Sequence, residues 1–134
     1  MAQAHIEHVA IWTADLERLR AFYEVHFGAR ASARYTNPSK QFQSYFLSFG
    51  SGARLELMSW PSVADPPSPA TPSTTPSGYA HLAISVGSRA RVDELTAQLA
   101  GAGVPVLDGP RQTGDGYYES VVLDPDGNRI EIAV

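Results

Sequence analysis

The 134-residue chain contains no cysteine. That excludes disulfides, thiolate metal sites and cysteine nucleophiles together. Lys40 is its one lysine, so no lysine cluster exists to hold a polyanion. Ten basic residues against fourteen acidic ones leave a formal net charge of −4. Without a cationic footprint, nucleic acid is not an expected partner. No apolar run reaches the roughly 20 residues of a membrane helix, and the opening MAQAHIEHVA lacks the charged start and apolar stretch of a leader. A cytoplasmic protein without a membrane partner is expected. There is also no glycine-rich phosphate loop and no nucleophile elbow. Chemistry is left to histidine, carboxylate, hydroxyl and arginine groups.

What is present suffices for one core, since 43% of the residues are hydrophobic. Residues 5–12, HIEHVAIW, alternate as a strand does. In 15–27, Leu16, Leu19, Phe22, Tyr23 and Phe27 recur at helical spacing, with Asp15 or Thr13 as cap and Gly28 as stop. ARASARYT, FQSYFLSF and ARLELMS follow as three strands. Residues 60–77 interleave proline with serine and threonine, which suits neither helix nor central strand and reads as a linker. Then the order starts again. YAHLAISV is a strand, Ser88 caps a helix with a Val92, Leu95, Leu99, Ala102 stripe, and VPVLDGPRQT, YYESVVL and RIEIAV are strands. Residues recur too: EHVAI at 7–11 matches AHLAI at 80–84, and FGSGARLEL at 49–57 matches PDGNRIEI at 125–132. The expected architecture is α+β, a single duplicated domain of two tandem βαβββ modules, 5–59 and 78–134, joined by the linker 60–77.

Strand alternation then isolates four residues. Val9 and Ile11 share one face of their strand while His8 and Ala10 share the other. Leu82, Ile84 and Val86 oppose His81, Ala83 and Ser85 in the same way. Leu55 and Leu57 flank Glu56, and Ile130 and Ile132 flank Glu131. The aliphatic face suits a helix, so the other face carries His8, Glu56, His81 and Glu131. Two close carboxylates repel unless a cation is present. Two imidazoles and two carboxylates make a borderline donor set, suited to Ni, Co, Zn, Fe or Mn rather than Ca or Mg. His5 and His26 have no counterpart in the other half. Two loops add binding candidates: GPRQTGDGYYES at 109–120, with Arg111, Tyr117 and Tyr118, and RYTNPSKQFQSY at 34–45, with Arg34 and Asn37. Arg111 is of the type that pairs a substrate carboxylate or phosphate.

Through HVAI with His8, LEL with Glu56, HLAI with His81 and DPDGNRIEI with Glu131, the chain resembles the vicinal-oxygen-chelate superfamily of glyoxalase I, bleomycin- and fosfomycin-resistance proteins and extradiol dioxygenases. The resemblance implies curved sheets around a divalent metal in a cleft, a homodimer and a small-molecule substrate. It implies His8, Glu56, His81 and Glu131 as metal ligands. An acid at the Glu56 position points to a glyoxalase I-like lyase or isomerase, in which Glu131, or else Glu56, moves a proton during enediolate chemistry. An extradiol-type dioxygenase and a fosfomycin- or bleomycin-type resistance protein are the alternatives. Bacterial glyoxalase I carries an arginine and an asparagine where this chain has Trp12 and Trp60. The resemblance thus extends to the metal chemistry rather than to the glutathione pocket.

Overall fold

Asp15 starts the first helix, α1 (Leu16–Phe27), where its carboxylate accepts from the Arg18 backbone N–H at 3.0 Å. Gly28 ends it in the left-handed region at φ 66°, donating to the Glu24 carbonyl at 3.2 Å. The apolar stripe between these caps buries Leu16, Leu19, Phe22 and Tyr23. The computed structural model describes residues 3–64, 75 and 77–134. It divides into two compact units, residues 1–65 and 66–134. The linker expected at 60–77 lies for the most part outside the described residues.

The first unit holds strands β1 (His8–Trp12), β2 (Arg30–Ala31), β3 (Tyr35–Asn37), β4 (Phe42–Ser48) and β5 (Arg54–Ser59), and α1 packs on β2, β4 and β5. Their order is β1-β5-β4-β2, with β3 also paired to β4. β1 and β5 are parallel, and the other pairs are antiparallel. Leu19, Tyr23, Leu47, Leu55 and Leu57 are fully or almost fully buried between helix and sheet. The strand expected over residues 29–36 is corrected to two short pieces. Between them Ser32 takes over the pairing: its hydroxyl accepts from the Phe46 N–H at 3.0 Å and its own N–H donates to the Phe46 carbonyl at 2.8 Å. A serine side chain here replaces a ladder bond, as short polar side chains do. The first strand begins at His8 rather than at residue 5.

The second unit repeats the plan with β6 (His81–Ser85), α2 (Arg89–Gly101), β7 (Val106–Gln112), β8 (Tyr118–Leu123) and β9 (Arg129–Ala133), in the order β6-β9-β8-β7. Ser88 caps α2 by accepting from the Arg91 N–H at 3.1 Å. Val92, Leu95 and Leu99 pack on Val122, Ile130 and Ile132. One polar contact crosses this core. The Thr96 hydroxyl donates to the Val92 carbonyl at 2.6 Å and accepts from the Ser120 hydroxyl at 2.7 Å. Asp124 fixes the DPDGN turn, with Oδ1 accepting from the Asp126 and Asn128 N–H groups at 2.9 Å each. The strands expected at 104–113 and 117–123 form as β7 and β8, so within 109–120 only Thr113–Tyr117 turn, as a hairpin. The register shifts at Asp108 and again before Arg111. Gly109, at φ 73°, is required there, since a Cβ would sit 2.5 Å from the Glu119 carbonyl oxygen. No described helix is long and apolar enough to cross a membrane.

Leu57 sits at the centre of the first core with no exposure. Leu57→Ala is expected to lower unfolding free energy by about 2–5 kcal/mol, read from the urea midpoint at constant slope.

Candidate functional site

Parallel pairing of the first and last strands of each unit brings distant residues to one face. The register sets Ala10 against Glu56 in the first unit and Ala83 against Glu131 in the second. Each histidine, two residues earlier on its strand, is then the diagonal neighbour of the acid. His8 Nε2 lies 3.6 Å from Glu56 Oε1, and His81 Nε2 lies 3.2 Å from Glu131 Oε1. The carboxylates sit deeper than the imidazoles in both pairs. Two ligands on adjacent positions of one ion, at bond lengths of about 2.1 Å, stand about 3–3.4 Å apart. The donor types of both pairs suit a divalent ion; the His81–Glu131 spacing lies within that range, and the His8–Glu56 spacing is slightly wider. Among the described residues no three His, Asp or Glu side chains are gathered closely enough to hold one together.

The two pairs have different surroundings. His8 Nδ1 lies 3.1 Å from Glu7 Oε1. With Nδ1–H donating there, the Nε2 lone pair is the one left facing Glu56. Glu7 also receives the Arg54 guanidinium at both carboxylate oxygens. The Arg54 hydrogen bonds, more than the one from His8, hold the Glu7 carboxyl down to about 2. Arg54 in turn stacks 4.2 Å over the Phe46 ring, whose edge meets the His8 ring at 5.2 Å. The first imidazole is thus braced by a carboxylate and an aromatic ring.

The second pair has an acid beside it instead. Glu119 of β8 lies one diagonal step from Glu131, since Glu119 pairs with Ala133 and Val121 with Glu131. Burial, and then the hydrogen bond and charge of Glu131, push the Glu119 carboxyl above the ordinary carboxylate range. Its Oε2 is buried without a hydrogen-bond partner. Arg111 faces Glu119 across the β7–β8 ladder and holds Asp108 with its Nε at 3.1 and 3.0 Å.

Of the five residues expected to contact substrate, Arg111 shares the sheet face of Glu131. Tyr118 is on the helix side, donating its hydroxyl to Asp93 of α2 beneath the Arg89 guanidinium. Arg34 approaches Glu17 of α1 at 3.7 Å. Asn37 Oδ1 accepts from the Ser39 hydroxyl at 2.8 Å in its turn. Tyr117 stands exposed at the β7–β8 turn. Sequence reasoning did not single out Glu7 or Glu119. The signal for Glu119 was its even spacing from Val121 in YYESVVL; Glu7 carried none, because only the fold brings Arg54 to it. A cleft of about 540 Å³, lined by Thr36, Gln43, Ser59, Trp60 and Val63 among others, contains none of the four histidine and glutamate side chains.

Residues 5–132 match the family model described as the Glyoxalase/Bleomycin resistance protein/Dioxygenase superfamily. Comparison with curated proteins gave no match. Among solved structures, the chain is similar to the trypanothione-dependent glyoxalase I of Leishmania major, at 28% identity and a TM-score of 0.73, over 98% of this chain and 86% of that one. A glyoxalase family protein from Enterococcus faecalis is 26% identical with a TM-score of 0.72, over 96% of each chain. A lactoylglutathione lyase from Agrobacterium tumefaciens is 25% identical with a TM-score of 0.68, over 99% of this chain and 95% of that one.

A carboxyl raised above its unfolded value of 4.5 contributes stability below that value and loses it as pH rises through the folded one. In chelator-stripped protein, Glu119→Gln is therefore expected to exceed the wild type in urea resistance near about pH 8, with the advantage gone near about pH 4. A constant difference across that range would contradict the assignment.

Proposed function

The chain belongs to the Glyoxalase/Bleomycin resistance protein/Dioxygenase superfamily, and from that membership we propose that it is a divalent-metal-dependent lyase or isomerase of the glyoxalase I kind. The observation that carries this reading is the repeated pair: an imidazole Nε2 and a carboxylate oxygen 3.6 Å apart in one unit and 3.2 Å apart in the other, at equivalent strand positions. His8, Glu56, His81 and Glu131 would hold one ion, of Ni, Zn, Co, Fe or Mn, in a homodimeric protein. Bound there, the ion would polarise two neighbouring oxygens of a small substrate and stabilise negative charge on them.

The remaining work falls to the chain. A carboxylate oxygen of Glu131 accepts the carbon-bound proton and returns it to the adjacent carbon, so the reaction is redox-neutral. Glu56 is the second candidate for the same role. Glu119, with its raised affinity for a proton, stands where it can hydrogen-bond Glu131 in either protonation state. Arg111, on the same face, would meet an anionic group of the substrate. Glu7, kept ionised by Arg54, holds the His8 ring with Nε2 turned toward Glu56.

Elemental analysis of purified protein tests the ligand set. Wild type is expected to retain stoichiometric metal, and Glu56→Gln and His81→Ala to lose it; full retention in both would refute the assignment. Glu7→Gln should keep the metal with affinity weakened about 10–100-fold, as loss of an orienting partner does. Oxygen uptake with a catechol would replace the proposal with a ring-cleaving oxygenase.

A further inference from the structure

Both tryptophans of the chain meet in one place. Trp12 and Trp60 stack with ring centroids 5.0 Å apart and planes 16° from parallel. Phe42 stands edge-on to each, at 6.3 and 6.4 Å, and Tyr35 meets Phe42 at 6.1 Å. This is no core: Trp12 is 45% exposed, Trp60 40% and Tyr35 55%. Strand alternation places Trp12 on the face of His8, and Phe42 on the face of Phe46. Register puts Trp12 beside Met58, Met58 beside Ser44, and Ser44 beside Tyr35. Ala10, Ser44 and Met58 floor the strip between the rings and the His8–Glu56 pair.

The duplicate half shows that the scaffold does not need these rings. It builds the same strands with Ser85 where Trp12 stands, Ala133 for Met58, Glu119 for Ser44 and Arg111 for Tyr35. The first unit keeps two indoles partly in water where the same strands of the second unit carry small or charged side chains. Among the described residues no arginine or lysine takes part in these ring contacts, and Arg54, at the far end of the face, is committed to Glu7. An anion finds no partner here, whereas a flat neutral or cationic ring does. We infer that Trp12, Trp60, Phe42 and Tyr35 form a platform for a planar aromatic group of the substrate, uncharged or cationic. The inference rests on the metal reading for the other end of that substrate. Trp12 lies four residue steps along the strand from His8, so the ring seats about 13 Å from the chelating oxygens.

The chain's tryptophan emission comes from this pair alone, so it reports the platform directly. Nickel-loaded protein would be titrated with 8-phenyloctanohydroxamic acid, whose chelating oxygens and ring are separated by about that span, and with octanohydroxamic acid, which lacks the ring. The phenyl compound is expected to bind about tenfold more tightly and to change indole emission. In the Trp12→Leu/Trp60→Leu double variant the preference should vanish while octanohydroxamic acid binds as before. Equal affinities in the wild type, or a preference that survives in the variant, would overturn the inference and leave the metal reading standing. If neither hydroxamate binds because no metal is held, the metal reading fails by itself. The platform is then judged on metal-free protein with 2-naphthol, where quenching of indole emission supports it and no quenching overturns it. Sedimentation closes the remaining route: a wild-type dimer with indoles shielded from 2-naphthol, made monomeric by the double variant, would make a second copy of this chain the occupant and overturn the inference.

Discussion

The parallel pairing of the first and last strands within each unit is the constraint on which the site depends. Sequence places His8 and Glu56 in separate segments, and His81 and Glu131 likewise. The β1–β5 and β6–β9 ladders bring each histidine within one diagonal step of its acid. The pairing is held by what lies beneath it. Leu55 and Leu57 on β5, and Ile130 and Ile132 on β9, are fixed against a helix and leave the acids between them on the opposite face. A one-residue slip would exchange the two sets and bury a carboxylate under the helix. The hydrophobic contacts thus set the position of the polar groups.

On that shared plan the surroundings diverge. The first imidazole is braced by Glu7 and by the edge of Phe46. The second pair has Glu119 and Arg111 nearby, so its face is ionic where the first is aromatic. Equivalent backbone positions therefore offer different chemistry, and fold similarity alone does not determine the substrate.

The βαβββ repeat, both helix caps and the four facing residues were legible in the chain. Alternation and helical spacing are local signals, and the aliphatic residues flanking Glu56 and Glu131 fix those acids without tertiary information. The break at Ser32 was not legible, because a serine hydroxyl standing in for a ladder bond leaves no mark on periodicity. The two strands of the β7–β8 hairpin were legible, but the role of Gly109 was not, because only the fold brings the Glu119 carbonyl against it. Tyr118 and Arg34 were sound chemical candidates whose side chains turned toward helices. The direction of Tyr118 depends on strand parity, which a single misplaced boundary reverses, and that of Arg34 on the break between β2 and β3. Glu7 belongs to the same class, since its partner Arg54 comes from the far end of the unit.

Covalent duplication has a consequence for how such a protein changes. If the two units were identical separate molecules, every substitution would appear in both, and a bulky indole welcome in one place would intrude in the other. Joined in tandem, the halves mutate independently. Ser85 is small where Trp12 is large, and Glu119 is charged where Ser44 is neutral. One copy can drift toward a new ligand as its sibling keeps the inherited chemistry intact.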